Sequence, residues 1–152
     1  MDAKPLSPRE LRIWYAFLSM SEDVLERVGR DIAQATDLSG PEFAVLSRLA
    51  AFGKGEMRQQ ELAVVMGWEK SRLSHQLSRM QKRKLIERQS GDGRAILVLL
   101  TKTGRKMLED ALPVRAESVR RNLLSRLTSE QIDTIVRVSN LLSDEEDSDM
   151  NG

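Results

Sequence analysis

The chain contains no cysteine and a single histidine, His75. The first absence excludes disulfides, thiol redox sensing and cysteine-ligated metals. The second leaves no histidine-rich metal site, so only an all-carboxylate site stays open. No stretch approaches the roughly 20 apolar residues of a membrane span, and the N-terminus has no signal-peptide pattern. A cytoplasmic protein with no membrane association is expected. There is also no nucleophile–base pairing, no glycine-rich phosphate loop and no metal-ligand spacing. Neither enzymatic activity nor a cofactor is expected, and no internal repeat or low-complexity segment appears. What remains is 152 residues, 40% hydrophobic and 31% charged, enough for one compact protomer with a real core.

The formal net charge of +1 conceals an asymmetry. Asp144, Glu145, Glu146, Asp147 and Asp149 crowd the C-terminal end, where apolar periodicity is missing. Residues 144–152 read as a disordered acidic tail. Without those five acids, residues 1–143 hold 24 Lys+Arg against 18 Asp+Glu, a net +6. Between Glu69 and Arg94 there are eight Lys/Arg against three acids. Such a local excess is the electrostatic footprint of a nucleic-acid binder.

Most of that excess falls on one helical pattern. Leu73, Leu77 and Met80 recur at i, i+4 and i+7 as a narrow apolar stripe. On the wheel, Arg72, His75, Arg79, Lys82 and Arg83 fall opposite, with Ser71, Ser74 and Ser78 beside them. An α-helix fits the major groove, where arginine pairs with guanine edges and serine reaches bases or phosphates. Read this way, Ser71, Arg72, Ser74, His75, Gln76 and Arg79 face bases and phosphates. Lys70, Lys82 and Arg83 add phosphate attraction. For an isolated basic helix, a merely solvated face is the commoner meaning; the flanks decide.

Upstream, Gln60–Gly67 reads as a short helix closed by glycine, with Trp68 pinning the turn. Two short helices joined by a glycine-containing turn form a helix-turn-helix. Downstream, Leu85–Ser90 and Arg94–Leu100 are β-prone runs around Gly91-Asp92-Gly93, a hairpin in which Asp-Gly supplies positive φ. Arg94 sits near the tip, placed for a minor groove or its phosphates. Asp92 orients that arginine or tightens the turn. The predicted fold class is mainly α, an α+β winged helix-turn-helix with added N- and C-terminal helices.

At these residues the chain resembles the MarR family of bacterial transcription regulators. The resemblance rests on Glu61-Leu62-Ala63 with Gly67, Leu73-Ser74, and Leu77 through Leu85-Ile86. Its most specific part is the wing, Asp92-Gly93-Arg94, leading to Leu100-Thr101-Lys102-Thr103-Gly104. Two departures stand out. Lys84 occupies the place where relatives usually end the recognition helix with glycine. Gly93 occupies a wing position that is often a second arginine.

The remaining segments supply helices outside the winged helix. Ser7-Pro8-Arg9-Glu10 starts a helix expected to reach about Ala35, with Leu11, Trp14, Leu18, Leu25, Val28 and Ile32 on one seam. Ser39-Gly40-Pro41-Glu42 starts a second helix, with Phe43, Leu46 and Leu49 facing inward, ended by Gly53-Lys54-Gly55. Thr101 caps a helix to about Leu124 with a kink at Pro113, and Thr128 with Gln131 caps a last one ending near Ser143. The domain reading follows. Residues 1–38 and 104–143 form a dimerisation module, 39–103 the winged helix, and 144–152 the tail. The alternative is a monomer whose terminal helices cover its own core.

These expectations converge on a homodimer binding a pseudo-palindromic duplex through two recognition helices about 34 Å apart. The resemblance implies a repressor relieved by a small aromatic or phenolic anion bound between the dimer helices and the DNA-binding lobe. Trp14, Tyr15, Phe43 and Trp68 are the residues available to line such a pocket, although each singly reads as an ordinary core residue. The alternative function is a protein–protein interaction module without an effector.

Overall fold

The computed structural model describes residues 4–148, with side-chain burial through residue 143. The chain opens with α1 (Pro8–Ala35) and α2 (Gly40–Gly53), followed by β1 (Glu56–Arg58). Next come α3 (Gln59–Met66), α4 (Lys70–Lys82), β2 (Ile86–Ser90) and β3 (Ile96–Leu100). Helix α5 (Lys102–Asn122), a short 3-10 turn (Leu124–Arg126) and α6 (Ser129–Ser148) complete it. Helices α1 and α2 both begin with the expected capping box, Ser7 with Glu10 and Ser39 with Glu42. In each, the serine hydroxyl accepts from the glutamate N–H and the carboxylate accepts from the serine N–H, so two otherwise unpaired donors are satisfied.

Helices α3 and α4 end in the same way. Trp68 N donates to Ala63 O and Gly67 N to Val64 O, both at 3.1 Å. Leu85 N donates to Met80 O and Lys84 N to Gln81 O, both at 3.0 Å. These paired bonds close a helix through one left-handed residue. That residue is Gly67 at φ 64° after α3, but Lys84 at φ 62° after α4. A side chain there costs about 1–2 kcal/mol, of which the looser unfolded chain of a glycine variant takes back up to about 1 kcal/mol. Lys84→Gly is therefore expected to raise the melting temperature by about 1–3 °C. A fall in a thermal scan would show that the left-handed closure is not strained.

The sheet is antiparallel in the order β1-β3-β2, with Val98 opposite both Met57 and Arg88. Strand β1 was not expected from the sequence. Only Met57 of its three residues turns into the core, so no alternating run announces it. The hairpin strands are shorter than the β-prone runs because Arg94 and Ala95 belong to the turn. Gly91 N donates to Ala95 O at 2.8 Å, Ala95 N donates to Asp92 O at 3.3 Å, and Gly93 has φ +67°.

Leu46 and Leu49 of α2, Leu62 of α3, Leu73, Leu77 and Met80 of α4, and Val98 of β3 are fully buried together. Each contributes about 1.5–3 kcal/mol by leaving water. This core fixes α4 from below and frees its other faces. Helix α1 joins through buried Ile32 and a polar clasp on α5. The Asp31 carboxylate accepts from Ser118 Oγ at 2.5 Å, Arg121 Nη2 at 2.7 Å and Asn122 Nδ2 at 3.3 Å. The Ser118 hydroxyl above all, then Arg121 and Asn122, hold that carboxyl below the usual carboxylate range.

Helix α5 continues through Pro113, whose missing N–H leaves the Glu109 carbonyl without its helical donor. Thr128 and Gln131 make the expected box before α6. That helix runs on to Ser148, past the end expected near Ser143. The rest of the expected acidic tail, 149–152, lies outside the described residues. Among the described residues, helix α6 has almost no tertiary contact with the other elements, and its Val136, Leu141 and Leu142 are exposed. On α1, Trp14, Tyr15, Phe17 and Leu25 are exposed as well.

Candidate nucleic-acid interface

The apolar stripe of α4 faces the core as its spacing required, which turns Ser71, Arg72, His75, Arg79 and Lys82 outward. Ser74 and Ser78 are half-buried along one edge. Of these side chains, His75 and Lys82 stand at the crest, and Arg72 and Arg79 on the flank. Both arginines rest on neighbours. The Arg72 guanidinium lies 4.0 Å over the Trp68 ring, a cation–π contact that supports the cation without neutralising it. Arg79 Nη2 donates to Gln76 Oε1 at 2.6 Å.

Two residues expected to face DNA are placed otherwise. Gln76 is 7% exposed; it lies on the rim of the apolar stripe, one turn before Arg79, and packs inward. Arg83 is committed within the chain. Its Nη1 donates to both carboxylate oxygens of buried Glu42, and its Nη2 to the Asp37 carbonyl at 3.0 Å. That carboxylate needs a cation because burial strips its water. The pair ties the exit of α4 to the start of α2.

The wing places Arg94 beside the first turn of α4. Arg94, Lys70 and Arg58 share the wall of a cavity of about 400 Å³ with Gln59, Leu73 and Ile96. The Gln59 Oε1 in this wall is buried with no hydrogen-bond partner among the described residues. Arg58 was missed by sequence reasoning, because only the unforeseen strand β1 carries it to this side. Asp92 shapes the turn through its backbone carbonyl, and no hydrogen bond from its side chain to Arg94 occurs among the described residues. Arg88, counted only as charge in the sequence, donates to Gln81 Oε1 and Ser78 Oγ and so braces β2 on α4.

The four aromatic residues considered for an effector pocket are not brought together. Phe43 is buried under the Arg115 guanidinium at 5.3 Å. Trp14 and Tyr15 are exposed on α1, with Trp14 stacked on Phe17, and Trp68 supports Arg72. Neither this cavity nor a second one of about 360 Å³ between α1 and α5 is lined by any of them. Among the described residues no cluster of side chains suits a metal, and no helix is long and apolar enough to cross a membrane.

These elements define a winged helix-turn-helix protein carrying long helices at both ends. A model of the MarR family matches residues 36–95, from the link before α2 to the turn of the wing. The fold is shared along nearly the whole chain with AbsC, a MarR family transcriptional regulator from Streptomyces coelicolor: TM-score 0.82, 23% identity, 96% of this chain and 99% of that one. It is shared with Sco3205 from the same organism, a MarR family regulator solved in complex with DNA: TM-score 0.84, 23% identity, coverage 95% and 91%. A third similar structure is the organohalide-sensing regulator RdhR-CbdbA1625 in its 2,4-dichlorophenol-bound form: TM-score 0.78, 19% identity, coverage 95% and 88%. A comparison with curated proteins yields no match.

Proposed function

We propose that this chain is a sequence-specific DNA-binding transcription regulator acting as a homodimer. The observation that carries the reading is one exposed face of α4, with Ser71, Arg72, His75, Arg79 and Lys82 outward and Arg94 of the wing beside Lys70. In the major groove, Arg72, His75 and Arg79 read base edges, with Ser71 and Ser74 at the rim. Lys70 and Lys82 hold phosphates, and Arg94 enters the adjoining minor groove, where width and negative potential favour arginine. The solved DNA complex of Sco3205, which shares this fold, supports the DNA-binding reading.

Selection from a random DNA pool tests the reading, and an enriched palindrome is the expected result. On that operator, Arg79→Ala is expected to cost about 1–3 kcal/mol and to relax preference at one position per half-site. Arg94→Ala is expected to weaken all duplexes evenly and to reduce the salt slope by roughly one phosphate per subunit. Equal losses on operator and scrambled DNA for Arg79→Ala would make that residue a phosphate clamp. No enrichment at moderate salt would favour a protein–protein interaction module instead.

Regulation completes the proposal: a repressor released from DNA by a small aromatic or phenolic ligand. The dichlorophenol-bound regulator of the same fold supports this part. The same binding assay reads it, since such compounds are expected to dissociate the operator complex. Unchanged binding across a broad panel of phenols and aromatic acids removes the effector.

A further inference from the structure

We infer that Gln76 is a positioning residue that aims Arg79 at DNA from inside the fold; the inference rests on the DNA-binding reading above. A buried amide needs hydrogen-bond partners, and the one that Gln76 makes among the described residues is directed outward. Its Oε1, on a side chain 7% exposed, accepts from Arg79 Nη2 at 2.6 Å. The guanidinium has five donor hydrogens, so one spent on Gln76 leaves a fork able to meet a guanine edge. The stem of arginine is flexible, and a side chain fixed before binding loses less freedom on the duplex.

Comparison within the same helix shows why the acceptor is an amide. Arg83 is held by the Glu42 carboxylate, which fixes its direction but cancels its charge toward DNA. Gln76 supplies direction alone, and Arg79 keeps its full positive charge. Arg72 is treated alike, through the uncharged ring of Trp68. Arg72 and Arg79, which face outward, thus rest on neutral supports, whereas Arg83, which ties α4 to α2, rests on a carboxylate.

The experiment uses the full chain and the operator enriched from the random pool. Gln76→Leu keeps the volume and the helix but removes the acceptor. It is expected to lower the ratio of operator to scrambled-duplex affinity by about three- to tenfold, the range for one immobilised side chain, with the salt slope unchanged. In an Arg79→Ala background, the same substitution is expected to change nothing further. Gln76→Met serves in the same cycle if the leucine variant melts early. An unchanged ratio overturns the inference, and so does an equal drop in the Arg79→Ala background, which would mean that Gln76 acts on DNA or on the fold by itself. If the native chain enriches no sequence at all, the DNA-binding reading falls first and takes this one with it.

Discussion

Gly104→Ala is expected to destabilise the protein by about 3 kcal/mol, at the upper end of ordinary overpacking. A Cβ on residue 104 would stand 2.1 Å from Leu85 O and 3.0 Å from both Leu85 C and Leu100 Cδ1. The first contact is with backbone, so no rotamer change relieves it. The carbonyl is also occupied, accepting from Thr101 N at 3.2 Å and Thr101 Oγ1 at 3.0 Å. The hydroxyl shares its one proton between that carbonyl and Lys84 O, the nearer at 2.7 Å, and accepts from Gly104 N at 3.0 Å. Thr101 and Gly104 thus rivet the start of α5 to the left-handed exit of α4. The alanine methyl must push them apart, and a drop of roughly 6–12 °C in melting temperature should follow. Operator affinity should fall with it, because the displaced carbonyl adjoins the end of the recognition helix. A variant melting within a degree of the native chain would mean that α5 shifts freely, and that the rivet is not one.

Removing α6 should abolish dimerisation. The native chain is expected to sediment as a dimer, and a chain ending at Leu127 as a monomer, with dissociation strengthened at least about a hundredfold, equivalent to some 2.7 kcal/mol. The reason lies in surface that a lone protomer leaves wet. Trp14 is 49% exposed, Tyr15 60%, Leu25 72%, Leu141 70% and Leu142 64%, all on α1 or α6. So many exposed large apolar residues on two helices mark surface that a partner covers. Because α6 has almost no tertiary contact within the protomer, its loss should spare the winged-helix core, and sedimentation would then report association rather than unfolding. The truncated chain should also bind operator poorly, since two half-sites are no longer engaged at once. A stable dimer after truncation would place the interface elsewhere.

What the sequence disclosed was local. The capping boxes at Ser7, Ser39 and Thr128 lie within four residues of the helices they start, and each is present. The stripe Leu73, Leu77, Met80 needs only helical spacing to be read, and all three are fully buried. The left-handed Lys84 was legible only through the resemblance, which puts glycine at its place. Nonlocal placements escaped. Arg83 finds Glu42 across 41 positions, which no spacing within α4 encodes. Strand β1 exists because β3 offers it an edge, so Arg58 gave no signal. Gln76 was misplaced for a different reason: it lies on the rim of the stripe, and its polarity was taken for exposure. Trp14 and Tyr15 lie close to the apolar seam of α1, yet a seam does not say whether it meets its own chain.

The Arg83 anchorage has a mechanical consequence. Its acceptors are the Glu42 carboxylate at the first turn of α2 and the Asp37 carbonyl in the link from α1. Asp31, one turn from the end of α1, is clasped by α5. The elbow between α1 and α2 therefore acts as a linkage. A rotation of the long helix would drag Asp37 and Glu42, and the Arg83 guanidinium, bonded to both, would pass that displacement to the trailing end of α4. On a duplex bound as proposed, such a displacement would alter the angle of α4, and hydrogen bonds weaken steeply with misalignment.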